Sequence, residues 1–201
     1  MTDITLAHRD RPLPVGSIGY MSTGWAAAIF LLISEASIFA YLFFAYFYFS
    51  VQPDYHWPPG SPPTFAYSAP QTAIVLIGAA TSWCANRWAS RGQMAKVMMA
   101  LAITIVLGAG FIALQFIDWF AEPFSPASSA YGSNYFVISG FHLAHFVAGW
   151  IMFLVLLLWT RLGYFDGVRH VPITIGALYW YFLTAIWIAV FFVLYITPRF
   201  G

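Results

Sequence analysis

Charge is what this 201-residue sequence has least of: 8 Lys and Arg with 7 Asp and Glu make up 7% of it, against 61% hydrophobic and 20% aromatic residues. Soluble globular chains carry about 25% charged residues. So few polar side chains cannot cover a folded surface in water, whereas a bilayer requires no such covering. A formal net charge of +1 leaves no basic footprint for nucleic acid. Cysteine is nearly absent too. The single Cys84 excludes an internal disulfide and the paired-thiolate sites that hold zinc, iron–sulfur clusters or dinuclear copper. No repeat of solenoid period and no inverted pair of broken helices is present, which weakens a transporter architecture.

What is present is apolar sequence in long runs. About 20 residues cross a bilayer at 1.5 Å rise per residue, and five runs reach that length: 24–50, 69–90, 94–121, 134–160 and 173–197. Prolines divide them. Pro53, Pro58, Pro59, Pro62 and Pro63 fill the first connection, Pro123 and Pro126 the third, and Pro172 and Pro198 bracket the last run, while Pro70 falls at a helix start, where a missing N–H does no harm. The fold class expected is an all-α integral membrane bundle of five transmembrane helices, residues 1–201 forming one domain. The stretch before residue 24 carries Arg9 and Arg11 but no apolar region preceding a cleavage site, and the first apolar run is too long for a signal peptide, so it is expected to remain as a helix.

Lys and Arg mark the cytoplasmic side of a membrane protein. With five spans, Arg9, Arg11, Arg87, Arg91, Lys96, Arg161 and Arg169 fall on the side of the N-terminus and Arg199 alone on the other. The expected orientation has the N-terminus cytoplasmic and the proline-rich connection, the Glu122 connection and the C-terminus periplasmic or external. Trp25, Trp57, Trp88, Trp119 and Trp159 lie near span ends, as interfacial anchors do.

Few polar groups lie inside the spans, and each needs a reason. Glu35 stands roughly 15 Å into the first span, near the bilayer centre, where a charge costs about 2.5–3.5 kcal/mol on insertion scales; it must face protein, be paired or hold its proton. Either proton transfer or a structural hydrogen bond between helices fits that position. In the fourth span His142 and His145 share one face at a spacing of three, with Gly149 further along the stripe. His145 lies at the depth of Glu35, so a contact between them is geometrically allowed. Asp118, near the outer end of the third span, lies closer in depth to His142. These four residues form the candidate buried polar cluster.

Two imidazoles on one face of one helix cannot take opposite axial positions on a haem, and no other span supplies a histidine. A site of Glu35, Asp118 and the two histidines for a metal is conceivable, but the separation in depth between the two acids disfavours it. No catalytic, cofactor or metal residue is assigned. Met94, Met98, Met99 and the aromatics read as packing and lipid-facing residues. Rows of small residues, Gly78 with Ser82 and Gly140 with Ala144 and Ala148, suggest close helix approach.

Four motifs in order resemble one family. Ser34-Glu35 precedes an aromatic run to Tyr48; Trp57-Pro58-Pro59 follows; Gln115 to Pro123 joins Gln, acid, aromatic, Glu and Pro; and Tyr131-Gly132-Ser133 leads to Gly140-Phe141-His142-Leu143-Ala144-His145. Together they resemble the haem–copper oxidase (cytochrome c oxidase) subunit III family, in its five-helix bacterial form. The resemblance implies a cofactor-free accessory subunit of a respiratory terminal oxidase in a bacterial inner membrane. Haem and copper would reside in partner subunits, with direct contact to subunit I, subunit II in the same complex, and bound phospholipid. It also implies a part in proton uptake or in oxygen access, Glu35 being the family's membrane carboxyl. Three positions depart from the family pattern. The last helix reads Trp180-Tyr181-Phe182-Leu183-Thr184 where many members have His and Asp, and Asp118 stands where Glu is more usual. These changes leave open a quinol oxidase or the related accessory protein of nitric-oxide reductase; an independent proton-coupled transporter is the competing class.

Overall fold

The computed structural model describes residues 23–53 and 57–200. Arg9, Arg11 and Gly201, used above for orientation, lie outside the described residues. Five long helices account for nearly all of it: α1 (Thr23–Ser50), α2 (Phe65–Ala89), α3 (Met94–Ala121), α4 (Ala130–Arg161) and α5 (Val171–Phe191). A π-helical turn, Phe192–Ile196, and a short 3₁₀ turn, Thr197–Arg199, continue α5. No strand occurs among the described residues. The second helix starts four residues earlier than the apolar pattern suggests, because Thr64 caps it through a side-chain bond from the Ala66 N–H, and Pro70 is consequently inside the helix.

Four of these helices, α1, α3, α4 and the α5 segment, are long and apolar enough to cross a membrane. The second falls short for a physical reason: its polar residues point inward. Gln71 Nε2 donates to Gln115 Oε1 at 3.1 Å, the Thr81 and Thr104 hydroxyls meet at 2.7 Å, Thr174 donates to Asn86, and the Trp187 indole N–H donates to Thr72. Polar side chains are tolerated between helices when neighbouring helices satisfy them.

The helices meet most closely where a side chain is missing. A Cβ on Gly78 would lie 2.8 Å from the Trp180 ring, and one on Gly108 2.6 Å from the Trp150 ring, so two indoles fill the space between α2, α3, α4 and α5. The row Gly140, Ala144, Ala148 does not serve this purpose: Ala144 and Ala148 are exposed, and a Cβ on Gly140 would reach nothing nearer than 3.9 Å. On α4 the close approach is at Gly149, where a Cβ would meet Leu183 at 2.8 Å and Tyr179 at 2.9 Å.

The α2–α3 and α4–α5 turns touch at one end of the bundle. Gly92 (φ 70°) and Gly163 (φ 77°) end their helices in the left-handed conformation that glycine accepts without strain, and a Cβ on Gly167 would sit 3.3 Å from the Gly92 nitrogen. Arg87, Arg91, Lys96, Arg161 and Arg169 lie in or beside these turns. Arg199 belongs to the opposite end, where its guanidinium donates to the Pro63 carbonyl at 2.7 Å and covers the Phe65 ring.

α1 is the outlier. It exposes Phe30, Ile33, Tyr41, Phe44 and Tyr48 and holds to α4 and α5 by one stripe, Glu35, Phe39 and Tyr46, spaced four and seven residues apart.

Candidate functional site

The stripe on α1 is what brings Glu35 to the bundle. Glu35 Oε2 lies 2.6 Å from His145 Nε2, with 20% and 16% of the two side chains exposed. The imidazole is held from behind: Nδ1 is 2.6 Å from the Phe141 carbonyl of its own helix. A carbonyl only accepts, so Nδ1 carries a hydrogen and Nε2 faces the carboxyl. One further proton lies between Nε2 and Oε2, so the pair carries no net charge on whichever atom it rests. Phe39, fully buried, packs its ring edge against His145 at 5.3 Å.

Beside this pair runs an apolar groove. One hollow of about 240 Å³ is lined by Leu31, Leu32, Ala148, Met152, Ile175 and Tyr179. A second, of about 320 Å³, shares Met152 and Ile175 and extends past Leu156 to Trp159 and Pro172 near the basic turns. Tyr179 closes the inner end, its hydroxyl donating to the His145 carbonyl at 3.2 Å.

The other two candidate residues lie apart. His142 is fully buried inside a cage of Phe39, Phe111, Phe146 and Trp187, and its Nε2–H donates to the Leu183 carbonyl at 3.1 Å. Asp118 is not its partner, contrary to the expectation from depth. Asp118 Oδ2 instead lies within hydrogen-bond reach of the hydroxyls of Tyr135, at 2.8 Å, and Tyr195, at 2.5 Å. Depth along a helix does not fix rotation about it, and the face of α3 that carries Asp118 turns toward the C-terminal turn. Among the described residues no three His, Cys, Asp or Glu side chains converge as a metal ion requires.

Sequence reasoning passed over Tyr135, Tyr195 and the Gln71–Gln115 bond. Gln115, Asp118 and Glu122 do recur along one face of α3, and that spacing was the available signal. At the two departures in the last helix, Thr184 donates to the Trp180 carbonyl within its own helix at 2.9 Å, whereas the Tyr181 hydroxyl is buried without a partner among the described residues. Outside the helices, burial above all pushes the Glu122 carboxyl up to about 7. Burial would raise the Asp166 carboxyl as well, but the N–H groups of Arg169 and Val168 and the Arg169 guanidinium outweigh it and hold Asp166 below the usual carboxylate range.

Comparison with known proteins places this geometry. Residues 18–198 match the family described as cytochrome c oxidase subunit III. Cytochrome c oxidase subunit 3 of Lumbricus terrestris is 33% identical over 178 residues, covering 85% of this chain and 68% of that protein. The proteins of the same name from Scyliorhinus canicula and Branchiostoma lanceolatum are 31% and 30% identical over 174 residues, each covering 83% of this chain and, respectively, 67% and 66% of the relative. The chain thus spans about two thirds of the length of these relatives. The match runs through all five helices and takes in both acids and both histidines: this chain belongs to the cytochrome c oxidase subunit III family.

Proposed function

We propose that this chain, a subunit III of the haem–copper oxidases, works as a single cofactor-free transmembrane unit packed directly against subunit I, with subunit II in the same assembly and haem and copper held by those partners. All five helices cross the membrane, α2 included, since its polar side chains are spent on its neighbours. The membrane is a bacterial inner membrane. The basic turns face the cytoplasm and Arg199 the periplasm, in accord with the bias of Lys and Arg toward the cytoplasmic side.

The observation that carries this reading is the 2.6 Å bond between Glu35 and His145. It ties the lightly attached α1 to α4 at mid-depth, beside an apolar groove that suits a phospholipid acyl chain or the passage of oxygen. A neutral pair of this kind keeps α1 in place without leaving a bare charge in the membrane. Its contribution to the oxidase is support of proton uptake or oxygen access, and the chemistry itself belongs to the partners.

Affinity purification of the tagged chain in mild detergent tests the assignment. A multispan protein with a haem spectrum, together with phospholipid, should accompany it. Haem-free material, combined with unchanged oxidase activity after deletion of the chain, would sink the reading; ion flux by the chain alone in liposomes would replace it with a transporter.

A further inference from the structure

At the end of the bundle opposite the basic turns, three oxygens from three segments form a triangle. Asp118 Oδ2 of α3 lies 2.8 Å from the Tyr135 hydroxyl of α4 and 2.5 Å from the Tyr195 hydroxyl beyond α5, and the two hydroxyls are 2.9 Å apart. Each residue is at most 1% exposed. Three edges call for three hydrogens, and two phenols supply two. With an ionised carboxylate both phenols must donate to Oδ2, which leaves two phenol oxygens pressed together with no hydrogen between them. With a carboxylic acid the third hydrogen closes the ring, and every oxygen donates once and accepts once.

The surroundings agree. Among the described residues Asp118 Oδ1 is buried with no partner, so an ionised group would keep half of its charge unsolvated, which is costly in a medium without water. Among the described residues the groups facing Asp118 are Tyr135 from α4 and Tyr195 from the C-terminal turn, with Glu122 just past the end of its own helix; none is a cation. The Arg199 guanidinium is taken by the Pro63 carbonyl and the Phe65 ring. Tyr195 also arrives by an unusual route. It lies in the π-helical turn Phe192–Ile196, where the Thr197 N–H bonds back five residues to the Phe192 carbonyl. Such turns are rare and are frequent at functional sites.

We propose that Asp118, Tyr135 and Tyr195 form a proton-binding site in which Asp118 holds one proton at neutral pH as the third hydrogen of a closed ring. This inference does not depend on the oxidase reading above. It gives the outer end of the chain a place to store a proton, distinct from the Glu35–His145 pair.

Infrared difference spectroscopy of the full-length chain at pH 7 tests it, wild type against Asp118→Asn, in water and in deuterium oxide. The expected result is a protonated-carboxyl C=O band that disappears in Asp118→Asn and moves down in deuterium oxide. Tyr195→Phe should keep that band and move it up, since the acid loses one hydrogen-bond partner but not its proton. A wild-type minus Asp118→Asn difference spectrum that holds only carboxylate bands, with no protonated-carboxyl band lost, overturns the proposal. Should Asp118→Asn fail to fold, Tyr195→Phe decides: a shifted band supports the site, and an unshifted one overturns it.

Discussion

Glu35→Ala and Glu35→Gln should part company, and the reason lies in the imidazole. His145 Nδ1–H is committed to the Phe141 carbonyl, so Nε2 must find its partner on α1. Gln places an amide N–H where Oε2 now sits and can donate to Nε2, preserving the link. Ala removes the partner and leaves a ring nitrogen facing apolar surroundings. An orphaned polar group costs about 1–3 kcal/mol, while hydrogen bonds between membrane helices average about 0.6 and reach about 1.7 kcal/mol. A loss of about 1–2 kcal/mol is therefore expected for Glu35→Ala, which lowers the midpoint of thermal unfolding by roughly 2–8 °C for a chain of this size. Glu35→Gln should stay within about 0.5 kcal/mol of wild type. The assay is thermal unfolding of the purified protein in detergent. Adding His145→Ala and the double variant gives the coupling directly, with about 0.5–1.5 kcal/mol expected. Equal losses for Gln and Ala, or a coupling of zero, would refute the idea that this bond holds α1 to the bundle.

The proposed function puts the reacting centre in partner subunits, so oxygen uptake per haem by a complex carrying Glu35→Gln should remain close to wild type; lost uptake with full haem content would contradict this. Gly132→Ala should destabilise by about 1–3 kcal/mol, since its Cβ would fall 2.5 Å from the Ser125 carbonyl oxygen. Gly140→Ala, with open space around it, should be close to neutral, and parallel thermal melts compare the two. Glu122 is an acid whose folded value, about 7, lies above its ordinary 4.5. The folded state then binds more protons than the unfolded one in that interval, so the stability this group contributes is complete below about pH 4.5 and is lost as pH rises through 7. Melting curves across that range should flatten in Glu122→Gln, and an unchanged slope would show that another group is responsible.

The helices were legible because each apolar run ends at prolines, glycines or a charge cluster: the third matches residue for residue at 94–121, and the fourth begins one turn earlier, where Ser129 caps the helix, and ends one residue later. The pairing of Glu35 with His145 was open to inference because two polar residues at the same depth in a membrane have few other partners. Asp118 was not open to it. Its partner Tyr195 arrives through a winding defect that no periodicity announces, so the count of residues along α5 misjudges where that hydroxyl points. For α2 the apolar run located the helix, while Gln71, Thr81 and Asn86, whose side chains bond to neighbouring helices, keep it less apolar than the other four.

The five-residue loop of widened helix at Phe192–Ile196 also acts as a rotary coupling. Each residue of regular helix advances the chain by about 100°, so deleting a single residue there would restore even winding while swinging the phenol of Tyr195 around the barrel and away from its acid. Changes of length at this point are thus changes of angle, and a lineage that gains or loses one residue here trades one inward-facing side chain for another without disturbing the rest of the bundle.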